Sequence, residues 1–413
     1  MSATQKPDHF DLTRRAFLGA ALSAGTAMAA PRVVGANDRL RIGVIGAGGN
    51  ANGHMRVLGK LADQDNVEIV AVCDLYQPRL DAAAERTGGK PYNDYRRLLE
   101  RKDLDYVTIS VPEHSHAQIT LDALDRGLHV YVEKPLTYSP AEGLQVMKKV
   151  KDTGLILQCG IQGLSDNSYS AAAERIQAGA LGKVVLAQID YSRNAKGDFW
   201  AYEHDPAARP GENLNWDAFL GSAPKRDWDP DRFFAWRRYW DYSGGIATDL
   251  FVHRLARIIR ACSLGAPSRV VSTGGKYVFT DSAAEIPDTF NAMIEYPEGL
   301  TVMLVSSMAN QAGIKHMIRG HKATLEFTRE GFEITPERLF EDEVKPSTHT
   351  KTGGEDMKLH HHNLHNAIRH GEELACDVEI GFNTALACQM TVESFRKKQS
   401  VSWDADAQEV RVG

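Results

Sequence analysis

Hydrophobic positions along this chain follow two periods, and their alternation outlines the fold before any single residue is interpreted. Short, nearly continuous apolar runs, as in strands buried on both faces, occur at Arg39–Ile45, Val67–Cys73, Tyr106–Val111, His129–Val132 and Leu155–Gln158. Between them lie stretches with helical spacing: His54–Leu61, Arg79–Thr87, His116–Arg126 and Pro140–Thr153. Strand and helix alternating at this interval predict βαβ units and a parallel sheet. The pattern changes after about Gln162. A helix over Tyr169–Ala178 and a strand over Val184–Tyr191 precede Ser192–Trp240, an irregular stretch with Pro206, Pro210, Pro224, Pro230 and many Trp and Tyr. A long stretch of this kind inside a compact domain points to function or an interaction surface. A helix over Ile246–Cys262 leads into four strand-like runs, Arg269–Phe279, Phe290–Tyr296, Leu300–Ser307 and His316–Arg319. Two late helices follow, His361–His370 and Thr384–Lys397. The expected class is α/β: a parallel-sheet domain over residues 37–162, then an α+β domain over 163–413 with a large, mostly antiparallel open sheet.

Composition narrows the function more than the fold. A chain of 413 residues exceeds one ordinary core, in line with two domains. The formal net charge is -6 and no basic stripe appears, which argues against nucleic acid as a partner. The five cysteines are scattered without a CxxC, so neither a disulfide framework nor a structural zinc site is expected. His360-His361-His362 with His365 puts two imidazoles on one helical face, but no Cys or carboxylate joins them in the sequence. They are read as structural, and no metal is expected.

Residues 1–36 read as an address rather than as fold. Thr13-Arg14-Arg15-Ala16-Phe17-Leu18 is a twin-arginine pattern, followed by an Ala- and Gly-rich apolar stretch and a small-residue cleavage site at Ala27-Met28-Ala29 or Val34-Gly35-Ala36. Export to the periplasm or medium is expected, with no stable membrane span once the signal is removed.

Gly46-Ala47-Gly48-Gly49-Asn50-Ala51 ends the first strand and opens a helix, matching G-x-G-x-x-G/A. Gly46 permits the tight turn, Gly48 lets backbone approach a pyrophosphate, and Ala51 allows close helix–strand packing. The helix N-terminus then offers free N–H donors to the anion. Asp74 ends the second strand where the fingerprint places a ribose-binding carboxylate. A Rossmann domain that binds NAD is therefore expected; NADP stays open, because Arg79 lies near enough to meet a 2′-phosphate.

Two further motifs bring in a family. Glu133-Lys134-Pro135 closes the fourth strand, and Gly244-Gly245-Ile246-Ala247-Thr248-Asp249-Leu250-Phe251-Val252-His253 fits GG-x3-D-x3-H. Lesser matches are Val111–His116, Gln158 to Gln162, Ala180–Lys183 and Ile286–Thr289. With these the sequence resembles the Gfo/Idh/MocA oxidoreductases, the glucose–fructose oxidoreductase and inositol dehydrogenase group, from about Arg39 to about Trp403. It departs from them at Ala256, where an Asp often stands three residues beyond the His. The resemblance implies a homo-oligomer, dimer or tetramer, joined through the open face of the second sheet, and a cofactor that can stay bound through turnover. It also implies that Pro112, His116, Glu133, Lys134 and Gln162 stand on the cofactor side, and that Lys134, Asp249 and His253 line the site beside the nicotinamide.

Such groups suit oxidation of a hydroxyl. His253 can take the proton, Lys134 can stabilise the developing charge on oxygen, and Asp249 can orient the substrate or the imidazole. Tyr242, Trp240, Arg237 and Arg238 suit sugar rings equally well as they suit loop packing. The expected function is an NAD(P)-dependent oxidoreductase acting on a sugar, polyol or glycoside. The alternatives are an NAD-dependent glycosidase that oxidises, eliminates, hydrates and reduces back, and a non-enzymatic sugar-binding scaffold.

Overall fold

The computed structural model describes residues 39–413; the expected signal segment lies outside the described residues. The first half alternates as its hydrophobic pattern predicts. Strand β1 (Leu40–Ile45) leads to α1 (Gly49–Leu61), β2 (Val67–Cys73), α2 (Gln77–Thr87), β3 (Lys90–Tyr92), α3 (Tyr95–Leu99), β4 (Tyr106–Ile109), α4 (His116–Asp125), β5 (His129–Glu133), α5 (Pro140–Thr153) and β6 (Leu157–Gly160). Helix α5 starts where it does because Ser139 and Glu142 form a reciprocal capping box, with Pro140 at the first helical position. The six strands pair in the order β3-β2-β1-β4-β5-β6, every pairing parallel. This is the doubly wound Rossmann order, whose ligands bind at the carboxyl ends of β1 and β4, where the strand order reverses. The short β3 carries a proline and a lysine and was not expected from the sequence.

The second half runs α6 (Ser168–Gln177), β7 (Val184–Asp190), α7 (Trp216–Leu220), α8 (Pro230–Phe234), a helix with a wide π turn at Ala247–Phe251 continuing as α9 (Val252–Cys262), and β8 (Arg269–Gly275). There follow β9 (Thr289–Tyr296), β10 (Leu300–Ser307), β11 (Met317–Gly320), β12 (Ala323–Thr328), β13 (Gly331–Pro336), β14 (Ser347–Thr350), α10 (Met357–His370), α11 (Val378–Lys397), β15 (Val401–Asp404) and β16 (Glu409–Val412). Ten strands form one sheet in the order β14-β13-β12-β11-β7-β10-β9-β8-β15-β16. All its pairings are antiparallel except β7 with β10. Helices α6, α9 and α11 pack on one face. Across the other face the register aligns Val271, Met293, Met303, Gln188 and Met317 in one row. Val271 and Met293 are exposed.

Two features depart from the expected organisation. The stretch 192–240 is not merely irregular. Its short helices bring Trp216, Phe219 and Phe233 into an aromatic core with Tyr242, which closes around Tyr76 from the loop after β2. Helix α10, late in the chain, does not belong to the second sheet. Its Leu364 is buried with Leu40, Val44, Leu58 and Tyr106 in the core of the first domain, and it packs against α1. The division at residue 162 therefore describes the two sheets but not the chain segments that complete them.

Candidate active site

At the β1–α1 turn the backbone makes the first part of the site. Gly46 holds φ +89°, and a Cβ there would lie 2.4 Å from the Ser110 carbonyl oxygen, so only glycine lets β1 pass β4 at this point. Gly48 caps α1 without any side-chain hydrogen bond, leaving the first N–H groups of the helix uncapped by protein side chains. A Cβ on Gly49 would meet nothing within 4 Å. Gly48, Gly49 and Asn50 line a cavity of about 1250 Å³ that runs from Asp74 past Pro112 to Lys134 and His253. A dinucleotide fits these residues: an open glycine cradle at a helix N-terminus for the pyrophosphate, and a carboxylate at the end of β2 for the ribose. Each Asp74 oxygen accepts one backbone N–H, Oδ2 from Ala47 at 2.7 Å and Oδ1 from Tyr76 at 2.8 Å. A carboxylate oxygen has a second acceptor direction, so both remain able to meet a ribose hydroxyl. Arg79 stacks its guanidinium on Phe233 at 5.2 Å and on Phe234 at 5.4 Å, on the adenosine side of the cavity.

At the other end β5 delivers Lys134 and the second domain delivers Asp249. The Gly244-Gly245 pair makes the approach possible. A Cβ on Gly244 would lie 2.5 Å from Thr248, and Gly245 holds φ +62° against Ile286. Glu113, buried in the loop after β4, pins this turn by accepting from Ser243 Oγ at 2.7 Å and from the Gly244 N–H at 3.0 Å. The chain then enters the π turn, a widening that recurs at functional sites and that aims Asp249 at the other domain. Lys134 Nζ donates to Asp249 Oδ1 at 2.7 Å and to its main-chain carbonyl at 3.2 Å. Arg237 Nε donates to the same Oδ1 at 2.9 Å. Burial alone would raise the Asp249 carboxyl, but the two cations outweigh it and hold it well below the usual carboxylate range.

His253 lines the same cavity and is pushed down to about 4 by burial, then by the Lys134 ammonium. Its ring is therefore neutral at pH 7, the form that accepts a proton. Glu133 is 5% exposed. Burial would raise it, but hydrogen bonding and charge from His54, with Lys134 beyond, bring it to about 2. Its Oε1 accepts from Gln162 at 2.8 Å and pairs with His54 Nε2 at 2.9 Å.

The expected residues take different places. Gly46, Gly48, Asp74, Pro112, Glu133, Lys134, Gln162, Asp249 and His253 all line the one cavity. Ala51 lies beneath it, buried in the first turns of α1. His116 is a correction to the cofactor set. It is buried 19 residues before Pro135, with Nδ1 2.7 Å from the Pro135 carbonyl and Nε2 2.9 Å from that of Val111, so it braces two loops behind the wall. Asp249 does not hold the His253 ring: its Oδ1 is engaged by Lys134 and Arg237, and it makes no hydrogen bond or ion pair with the imidazole. Arg237, weighed in the sequence as a sugar contact or as loop packing, lines the cavity and pairs with Asp249; Arg238 is instead buried in ion pairs with Asp198 and Asp231. Glu113 and Glu355, the latter 3.9 Å from His253 Nδ1, were missed. The pairing of Glu113 with the glycine turn joins residues 131 positions apart, beyond any local spacing. The late histidines make structural contacts. His360 bonds the Cys159 carbonyl, His361 bonds His54, and His365 bridges Asp65 and Tyr106.

Comparison with known proteins agrees with this geometry. Residues 40–161 match the family described as an oxidoreductase family with an NAD-binding Rossmann fold, and residues 175–265 and 222–403 match its C-terminal alpha/beta domains. The inositol 2-dehydrogenase of Salmonella paratyphi B is 31% identical over 150 residues, 36% of this chain and 44% of that enzyme, so this match spans less than half of the relative. The scyllo-inositol 2-dehydrogenase (NAD(+)) of Bacillus subtilis is 32% identical over 286 residues, 68% of this chain and 70% of that enzyme. A levoglucosan dehydrogenase solved with NADH and levoglucosan has the same fold, with a TM-score of 0.66 at 18% identity over 88% of this chain and 99% of that one. The Rossmann sheet and the mostly antiparallel second sheet thus belong to a known plan, and the chain is a member of the Gfo/Idh/MocA oxidoreductase family.

Proposed function

We propose that this chain is an NAD-dependent oxidoreductase of sugars or polyols. The observation that carries the reading is the meeting of Lys134 from the Rossmann domain with Asp249, Arg237 and His253 from the second domain, at the end of a cavity that begins in the glycine turn. Bound dinucleotide would supply the hydride acceptor. The protein supplies the rest. Lys134, held by Asp249, places a positive charge where negative charge grows on the substrate oxygen. His253, neutral and facing the same cavity, takes the hydroxyl proton. Trp200, Tyr202 and Trp236 add aromatic surface to the wall, which suits the face of a ring of C–H groups. Relatives named for inositol and levoglucosan support this substrate class.

Three finer readings belong with this one. The cofactor is held tightly, supported by the aromatic segment that packs against Tyr76 and Arg79 on the adenosine side. The chain is exported by its twin-arginine signal, supported by the sequence alone. The subunit forms a dimer or tetramer through the sheet face that carries Val271, Met293, Met303 and Met317, of which Val271 and Met293 are exposed.

The test is to express residues 37–413, denature the purified protein and identify what it releases by mass spectrometry. Stoichiometric NAD(H) supports the reading; stoichiometric NADP(H) reverses the Asp74 argument. A protein that carries no dinucleotide and fails to bind added NAD would overturn it. A screen of polyols, sugars and nitrophenyl glycosides then reads the reaction, where aglycone release without net NADH means glycosidase chemistry.

A further inference from the structure

His253 lines the cavity, yet its Nδ1 is sealed from solvent and has no hydrogen-bond partner. A sealed ring nitrogen without a partner calls for an explanation. Asp249, the acid one helical turn earlier, does not provide it: it makes no hydrogen bond or ion pair with the ring, and its Oδ1 is engaged by Lys134 and Arg237. The carboxylate facing Nδ1 is Glu355, with Oε1 at 3.9 Å. Glu355 is held in that direction from several sides. Its Oε2 accepts from Arg257 Nη2 at 2.6 Å, and Arg257 Nη1 donates to Tyr169 at 3.2 Å. Two residues earlier, Gly353 seats the loop so closely on the Ser165 carbonyl that a Cβ would lie 2.6 Å from its oxygen. One residue later, Asp356 caps α10 through the Lys358 N–H at 2.7 Å.

We infer that Glu355 is the positioning residue for His253, accepting its Nδ1–H and so fixing the tautomer whose Nε2 takes the substrate proton. The inference rests on His253 being the base of the proposed reaction. A neutral imidazole carries one N–H, and a base must present the bare nitrogen to the substrate, so the proton has to sit on Nδ1. A separation of 3.9 Å exceeds a hydrogen bond, and catalytic contacts of this kind tighten when the site fills. As the substrate O–H breaks and Nε2–H forms, the ring becomes a cation that Glu355 neutralises. The Nδ1 proton stays on the ring, and the Nε2 proton leaves to water once the product has gone, which restores the Nδ1–H tautomer for the next turnover. The other charged groups around the ring are Lys134, Asp249 and Glu133, with Arg254 and Arg257 on its own helix and the Tyr191 ring 6.1 Å away.

The experiment is nitrogen NMR at pH 7 on the NAD-loaded chain labelled with 15N-histidine, the His253 signals being assigned by their loss in H253Q. The wild type and E355D, which keeps the charge, are expected to hold the Nδ1–H tautomer. In E355Q the tautomer ratio shifts on the order of tenfold toward Nε2–H, and kcat on the best substrate falls about tenfold with KM changed far less. An unchanged His253 tautomer in E355Q would overturn the inference. The NMR reading needs no turnover, so it stands apart from whether any sugar or polyol proves to be a substrate.

Discussion

In the proposed reaction Lys134 is the side chain that meets the charge growing on the substrate oxygen. K134M keeps much of the length and apolar stem but removes the ammonium beside the reacting oxygen. We expect kcat to fall on the order of a hundredfold or more, while the dinucleotide released on denaturation stays stoichiometric. Asp249 keeps Arg237 as a partner in that variant, so folding is expected to survive. Equal loss of cofactor and activity would instead mean that Lys134 serves the dinucleotide. Lys134, Asp249 and His253 were legible in the sequence because two local motifs carry them, each read over a few residues. Arg237 lies in the same stretch, yet its partner became visible only once the π turn had aimed Asp249. Glu355 was not legible at all, since it reaches His253 from a loop more than a hundred positions along the chain, preceding a helix that otherwise serves the first domain.

At the scale of elements, the β1–α1 turn and helix α10 make separate predictions. G46A forces a side chain into a left-handed conformation and onto the Ser110 carbonyl. Strain of this kind costs at least about 1–2 kcal/mol. A lowered melting temperature together with loss of bound dinucleotide is expected; normal cofactor content in G46A would refute the role given to the turn. Helix α10 points His360 and His361 into the interior, where burial pushes His360 down to about 4 and His361 well below its ordinary range. His114 and His129 are pushed by burial to about 4 as well. Unfolded, these rings titrate near 6.5. Between pH 6.5 and 4 the unfolded chain therefore binds more protons than the folded one, and stability falls as pH falls, by up to about 1.4 kcal/mol per pH unit for each ring. The melting temperature should drop steadily from pH 7 to pH 5; a flat profile would show that the rings are protonated in the fold. Apart from β3 and α3, the strands and helices of the first half were legible because parallel strands buried on both faces read as unbroken apolar runs. Strands β12 to β16 were not. They are short, partly exposed and interrupted by Thr, Ser, Glu and Arg, so their alternation merges with that of loops.

For the whole molecule, one face of the ten-stranded sheet carries the row Val271, Met293, Met303, Gln188 and Met317, of which Val271 and Met293 are exposed. If the proposed dimer or tetramer forms through that row, the double variant M293K/M303K should convert it to monomers in light scattering without altering bound cofactor. An unchanged mass would move the interface elsewhere. The general plan, two domains with the site between them, followed from the change of period near Gln162. What the pattern did not convey is that the chain returns. Leu364 of α10 completes a core begun at Leu40. Because of that return, the cofactor-binding half is not a portable module. A fragment ending at Gln162 leaves Leu40, Leu58 and Tyr106 facing an unfilled space. A chimera that exchanges Rossmann halves between relatives must carry two separate pieces of chain, crossing over three times rather than once. New substrate specificities in this architecture are thus more readily reached by altering the inserted segment 192–240, which both leaves and rejoins the second domain, than by recombining whole domains.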